Sequence, residues 1–191
     1  GEGLFLSDDE YAGLLSNNEE NSDVLLPYIT GSDINSSNQL KGRYIINFWD
    51  WGLERARKYP EVLQIVEQRV KPHRQTLSAT KQKVKDRWWL YEASSKALFH
   101  AVGNSDLFEN KPQGMKGSLE KAIAIARVSK TGAFTMVPTN CVFAAEVVVI
   151  ASDDFAIFSV LQSSIHLAFA WNYAGKMKVD LRYSPTMCFE P

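Results

Sequence analysis

The stretch KAIAIARVSKTGAFTMVPTNCVFAAEVVVIAS, residues 121–152, decides the fold. KAIAIARVS, AFTMVP and EVVVIAS are short runs of apolar and β-branched residues, and each reads as a strand. The first two are separated only by Lys130, Thr131 and Gly132, a turn in which Gly132 permits an unusual backbone. Strands this close in sequence are joined by turns, which predicts a mixed or antiparallel sheet.

Outward from this core the pattern becomes helical. DDFAIFSVLQSSIHLAFAWNYAG follows, with Phe155, Phe158, Leu161, Ile165, Ala168 and Phe169 at helical spacing; it predicts one helix from a Ser152 or Asp153 cap to Gly175. Upstream, Ser7 and Glu10 form a capping box before a short helix. LLPYITGSDIN is extended up to a Gly-Ser-Asp turn, and RYIINFW is a buried strand. WGLERARKYPEVLQIVEQRVKP holds two helical pieces divided by Pro60, the second ending before Pro72. Residues 73–86 are polar and basic and fit either a loop or an exposed helix. SSKALFHAV is a short helix, and residues 103–118 are a loop. The fold class is therefore α+β: a mixed or antiparallel sheet with packed helices, as a single domain with no linker that splits it.

Composition narrows the function. The chain has 191 residues, 45% hydrophobic and 23% charged, and a net charge of −1. Two cysteines are too few for a disulfide framework, which points to a reducing, cytoplasmic setting. No apolar run reaches the length of a bilayer span. The charge is uneven: residues 1–40 carry eight acids and no Lys or Arg, whereas residues 71–87 carry Lys71, Arg74, Lys81, Lys83, Lys85 and Arg87 against Asp86. That basic stretch is either an anion-binding patch or a solvated segment. His73, His100 and His166 have no partners at metal spacing. No phosphate loop, nucleophile elbow or Cys–His pairing is present, so the chain reads as a binding surface with no catalytic residue, metal site or cofactor of its own.

Two segments carry binding chemistry. In the turn after residue 126, Arg127, Ser129, Lys130 and Thr131 are side chains of the kind that hold phosphates, or else form a plain polar turn. In KMKVDLRYSP, residues 176–185, Lys176, Lys178, Asp180 and Arg182 fall on one parity and Met177, Val179, Leu181 and Tyr183 on the other. A continuous strand would set the charged residues in one row with an oily row behind.

Seven stretches in order, LLPYITGSDIN, RYIINFWDW, YPEVLQIVEQRVKPHR, RWWLYE, ARVSKTGAFTMVP, FSVLQSSIHLAFAW and DLRYSPTMCFE, resemble the target recognition domain of MmeI-like enzymes. These are single-chain type II restriction–modification proteins of the type IIG and IIL group, and the similarity extends to adenine methyltransferases of phage-defence systems. It runs from about Leu4 to Cys188. Residues 104–120 form a longer connection than usual, and SPTMCFEP departs from the family's turn.

The resemblance implies a domain that reads a short DNA sequence in the major groove. Its partners are double-stranded DNA and a methyltransferase domain of the same bacterial chain. The parent would use S-adenosylmethionine, and Mg2+ where a nuclease is present. The chain lacks the Asn-Pro-Pro catalytic motif and is expected to be an excised piece. By position, the resemblance makes Lys178 and Asp180 a base-reading pair for one G·C, Arg182 a further reader, and Glu146 a residue that tunes it. A lysine suits guanine O6 and N7, and a carboxylate suits the cytosine amino group. Backbone contacts are expected from Arg127, Ser129, Lys130, Thr131, Lys176, Arg74, Lys83 and Arg87. Trp88 and Trp89 stand either beside the DNA or in the core. The alternatives are the specificity domain of a methyltransferase-only phage-defence protein and a non-catalytic protein-interaction module.

Overall fold

In chain order the elements are β1 (Phe5–Leu6), α1 (Asp8–Asn17), β2 (Leu25–Ile29), α2 (Gly31–Ile34), β3 (Tyr44–Ile46), α3 (Leu53–Ala56), α4 (Pro60–Arg69), α5 (Lys71–Gln75), α6 (Gln82–Asp86) and α7 (Lys96–Ala101). They continue with β4 (Lys121–Ala126), β5 (Val128–Ser129), β6 (Thr135–Pro138), β7 (Val142–Phe143), β8 (Val147–Ile150), α8 (Phe155–Leu161), α9 (Ser164–Tyr173), β9 (Gly175–Met177), β10 (Asp180–Arg182) and α10 (Pro185–Cys188). This computed structural model describes residues 2–36, 42–92, 95–110 and 118–188. The class is α+β, with mixed and antiparallel sheets.

The chain divides into two compact units. The first takes the chain to Pro27, then Gly42–Lys96 and the stretch from Ser105; the second takes Tyr28 onward, Ala97–Asn104 and the C-terminal part. Two of the crossings fall inside β2 and at the start of α7. No linker composition marks these two, so the sequence gives no sign of them.

In the first unit, β3 pairs antiparallel with both β1 and β2, with Leu26 opposite Ile45. The predicted capping box holds: the Ser7 hydroxyl accepts from the Glu10 N–H at 3.2 Å, and the Glu10 carboxylate accepts from the Ser7 N–H at 3.0 Å. Helix α4 starts at Pro60 and presents buried Val62, Leu63 and Val66. The chain does break before Pro72, but it enters α5 at once, because proline is compatible with a helix's first turn. The predicted RYIINFW strand pairs only over Tyr44–Ile46; Phe48, Trp49 and Trp51 leave it and are buried. Trp88 and Trp89 are both buried, and the Trp89 indole N–H donates to the Trp51 carbonyl at 2.9 Å, so neither is a wall for a ligand.

The second unit is built around β4, flanked by β6 and β8 in an antiparallel sheet. The Ala-Ile alternation of KAIAIA now has a physical meaning, since both faces of β4 are covered. Ile123 and Ile125 pack with Phe134, Leu161, Leu181 and Tyr183. Ala124 and Ala126 share the other face with Ile29, Ile34 and Val137. The small residues let α2 come close: a side-chain carbon on Gly31 would stand 3.5 Å from Ala126 Cβ and 3.1 Å from Glu146 Cγ.

The single long helix expected after residue 153 is two. Asp154 caps α8, and Ser163 caps α9 by accepting the His166 N–H at 3.2 Å. Between them, Gln162 uses its side-chain oxygen to accept the Phe134 N–H at 2.8 Å. The apolar spacing runs through this break without a sign of it.

Gly132 has φ +66°, and a methyl group there would lie 2.6 Å from Leu167 Cδ1 and 3.2 Å from Leu181 Cδ2. Gly132→Ala is expected to cost about 2 kcal/mol, lowering the thermal midpoint by roughly 4–8 °C. An unchanged midpoint in a calorimetric scan would contradict this account of the turn.

Candidate nucleic-acid interface

The segment 176–183 is not one strand. The chain reverses at Lys178 and Val179, so β9 and β10 form a hairpin with Met177 opposite Asp180, Lys176 opposite Leu181 and Gly175 opposite Arg182. On its other edge β10 pairs with β5, placing Leu181 opposite Ser129 and Arg182 opposite Val128. The predicted row of four charges is therefore corrected. Asp180 and Arg182 share one face with Met177 and Gly175, while Lys176 belongs to the Leu181 side. Lys178 is at the turn with φ 58°, outside both strands. The oily row is broken as well: Leu181 and Tyr183 are core, but Val179 is 83% exposed.

What remains together is a cationic hairpin. Among the described residues, no ion pair involves Lys176, Lys178, Asp180 or Arg182. Arg182 lies over Gly175, where an added side-chain carbon would meet Arg182 Cδ at 3.9 Å. The hairpin is anchored from below. Tyr183 is 1% exposed, its N–H donates to the Arg127 carbonyl at 2.8 Å, and its hydroxyl lies 3.1 Å from His166 Nε2. Burial pushes the Tyr183 phenol up and the His166 imidazole down, so both favour their neutral forms. His166 is thus an anchor of the hairpin. No pattern in the sequence joins it to Tyr183.

The turn beside the hairpin separates into two roles. Ser129, 3% exposed, donates its hydroxyl to Asn35 Oδ1 at 2.9 Å and accepts the Gly132 N–H at 3.1 Å. Asn35 also donates to the Val128 carbonyl at 3.2 Å. Ser129 therefore shapes the turn, and its expected phosphate contact is corrected. Arg127, Lys130 and Thr131 are exposed. Glu146 is exposed just before β8, and its carbonyl accepts the Arg127 N–H at 2.7 Å. No ion pair joins its carboxylate to Arg182 among the described residues.

In the first unit, most of the basic stretch is already engaged. Arg74 is 6% exposed and donates to the carbonyls of Trp88 at 3.0 Å and Leu90 at 2.6 Å, so its assignment to a DNA phosphate is corrected. Burial lowers its pKa. Arg87 donates to the Asp50 carbonyl at 2.7 Å. Lys71 pairs with Glu67 and Lys81 with Glu92. Of the six cations, the side chains of Lys83 and Lys85 make neither an ion pair nor a hydrogen bond among the described residues. The stretch folds back on itself because it supplies donors to carbonyls that aromatic packing has buried.

No cluster of three or more metal-ligating side chains occurs among the described residues, and no helix there is long and apolar enough to cross a membrane. Fold and surface define an α+β domain that presents a polar hairpin and a basic turn to solvent. The chain belongs to the family described as "MmeI, target recognition domain", which matches residues 1–191. A solved structure, that of the type IIL restriction–modification enzyme MmeI in complex with DNA, has a similar fold: TM-score 0.66 and 15% identity over 98% of this chain. The chain spans 22% of that enzyme's length. A search of curated proteins finds no match.

Proposed function

We propose that this domain reads a short sequence of double-stranded DNA on behalf of a longer restriction–modification protein. The observation that carries the reading is the hairpin of Lys178, Asp180 and Arg182, unpaired within the described structure of a chain that belongs to the target recognition family. Lys178 and Arg182 would donate to guanine O6 and N7, and Asp180 would accept from a cytosine or adenine amino group. Arg127, Lys130, Thr131 and Lys176 would hold phosphates and set the register.

The parent would be a bacterial, cytoplasmic N6-adenine methyltransferase of the type IIG kind that acts in phage defence. It would use S-adenosylmethionine and flip its target adenine into a catalytic pocket outside this domain. A nuclease in the same parent would add Mg2+. Phe155 and Ile165, exposed on α8 and α9, give the methyltransferase portion an apolar face to pack on. The domain itself supplies recognition and no chemistry.

Salt dependence tests the reading against that of a protein-interaction module. Binding of duplex DNA by the full-length protein should weaken linearly on a log–log plot against salt. Lys130→Ala should reduce the slope by about 1 without changing the preferred sequence. Affinity indifferent to salt would favour the interaction module.

A further inference from the structure

We propose that the tip of the β9–β10 hairpin enters the major groove and that Val179 packs there against the 5-methyl group of a thymine. This rests on the DNA-reading function proposed above and adds a reader that the alternating pattern of the sequence had placed on the buried side. Val179 is 83% exposed, above the other exposed large hydrophobic residues, and Met177 is 51% exposed beside it.

The turn itself is chemically unusual. Two residues, Lys178 and Val179, connect Met177 to its partner Asp180. Turns of this length favour Asn-Gly, Asp-Gly or a leading glycine. Here a lysine occupies the left-handed region at φ 58°, and a β-branched residue follows it. Neither choice helps the fold, and Val179 buries little of its side chain in this chain. Its apolar surface leaves water only against something outside the domain.

The surroundings restrict what that is. Lys176, Lys178 and Arg182 make an anionic partner favourable. Asp180, between them in the hairpin, is repelled by a uniformly anionic surface such as a lipid headgroup layer. The major groove satisfies all of these groups together. Its rims are phosphate, its floor offers amino donors to a carboxylate, and its one apolar feature is the thymine methyl. A two-stranded ribbon fits its width.

The test uses the full-length protein and the duplex it selects from a randomised pool. Each thymine of the selected sequence is replaced in turn by uracil, which lacks only the methyl group. The native protein should bind about fourfold more weakly at one such position, the loss expected for one buried methyl. Val179→Ala should bind the unmodified duplex more weakly by a similar factor and be insensitive to uracil there. Val179→Asn, a better turn residue, should behave like Val179→Ala with an equal or higher thermal midpoint, which separates recognition from folding. The proposal is overturned if no uracil position weakens binding, or if Val179→Ala keeps the uracil sensitivity. Failure to select any sequence from the pool would instead overturn the proposed DNA-reading function, and this contact with it.

Discussion

Exchanging the charges of the hairpin, Lys178→Glu together with Asp180→Arg, is expected to change the base that the full-length protein prefers at one position of its site. The discrimination at stake is roughly 10- to 100-fold. A lysine offers donors to guanine's two acceptors and a carboxylate accepts from an amino group, so reversing the pair reverses what each position can bond. Both side chains reach solvent, and neither makes an ion pair among the described residues, so the exchange should leave the fold intact. Sequencing duplexes selected by the double variant would show the change. Selection of the unaltered sequence, by a variant with an unaltered melting curve, would remove these two residues from base reading. Arg182 would then be the remaining candidate on that face.

Asp50→Ala should give the largest loss of stability, about 2–3 kcal/mol. The Asp50 carboxylate is 2% exposed and sits at the centre of the first unit's polar network. It accepts from Lys96 Nζ at 2.7 Å, from the Glu109 N–H at 2.8 Å and from the Asn110 side chain at 3.1 Å. Removing it takes away the acceptor that these three donors share, although Lys96, Glu109 and Asn110 themselves reach solvent and water can replace part of the bonding. The same network makes a pH prediction. Burial alone would raise the carboxyl's pKa from its ordinary 3.8, but the bonds from Lys96, Asn110 and Glu109 outweigh burial and hold it at about 2. A lowered folded-state pKa means the ionised form favours the fold. Its contribution, about 2 kcal/mol, is fully present above pH 4 and lost as the pH falls through about 2. In Asp50→Asn the stability curve should be flatter by that amount between pH 4 and 2. Parallel curves for the native and variant chains would contradict it.

These two sites differ in how visible they were. Lys178, Asp180 and Arg182 stood out through their alternation. Asp50 did not, because an aspartate in an aromatic stretch gives no sign that Lys96 and residues 109–110 will converge on it. The hairpin turn was equally hidden. A two-residue reversal keeps the charged–apolar alternation going through the turn, and Lys-Val carries none of the glycine or asparagine that announces one. Arg74 was misplaced for a related reason: six cations in seventeen residues read as a patch, yet the carbonyls of Trp88 and Leu90 needed a donor.

The amino-acid order by itself determined the local elements whose causes are local. These are the Ser7–Glu10 capping box, the α4 start at Pro60, the break before Pro72, the strands β4, β6 and β8 and the need for glycine at 132; that KAIAIARVS divides at Arg127 into β4 and β5, in two different sheets, was not legible. Family membership was also legible, since it lies in the order of whole stretches. Only the tertiary structure decided which side chains are available: Arg74 and Ser129 are used inside, Lys176 changes side, and Val179 comes out into water. Capping and turn preferences act between residues a few positions apart, whereas exposure depends on what packs from elsewhere in the chain, and no local pattern encodes that.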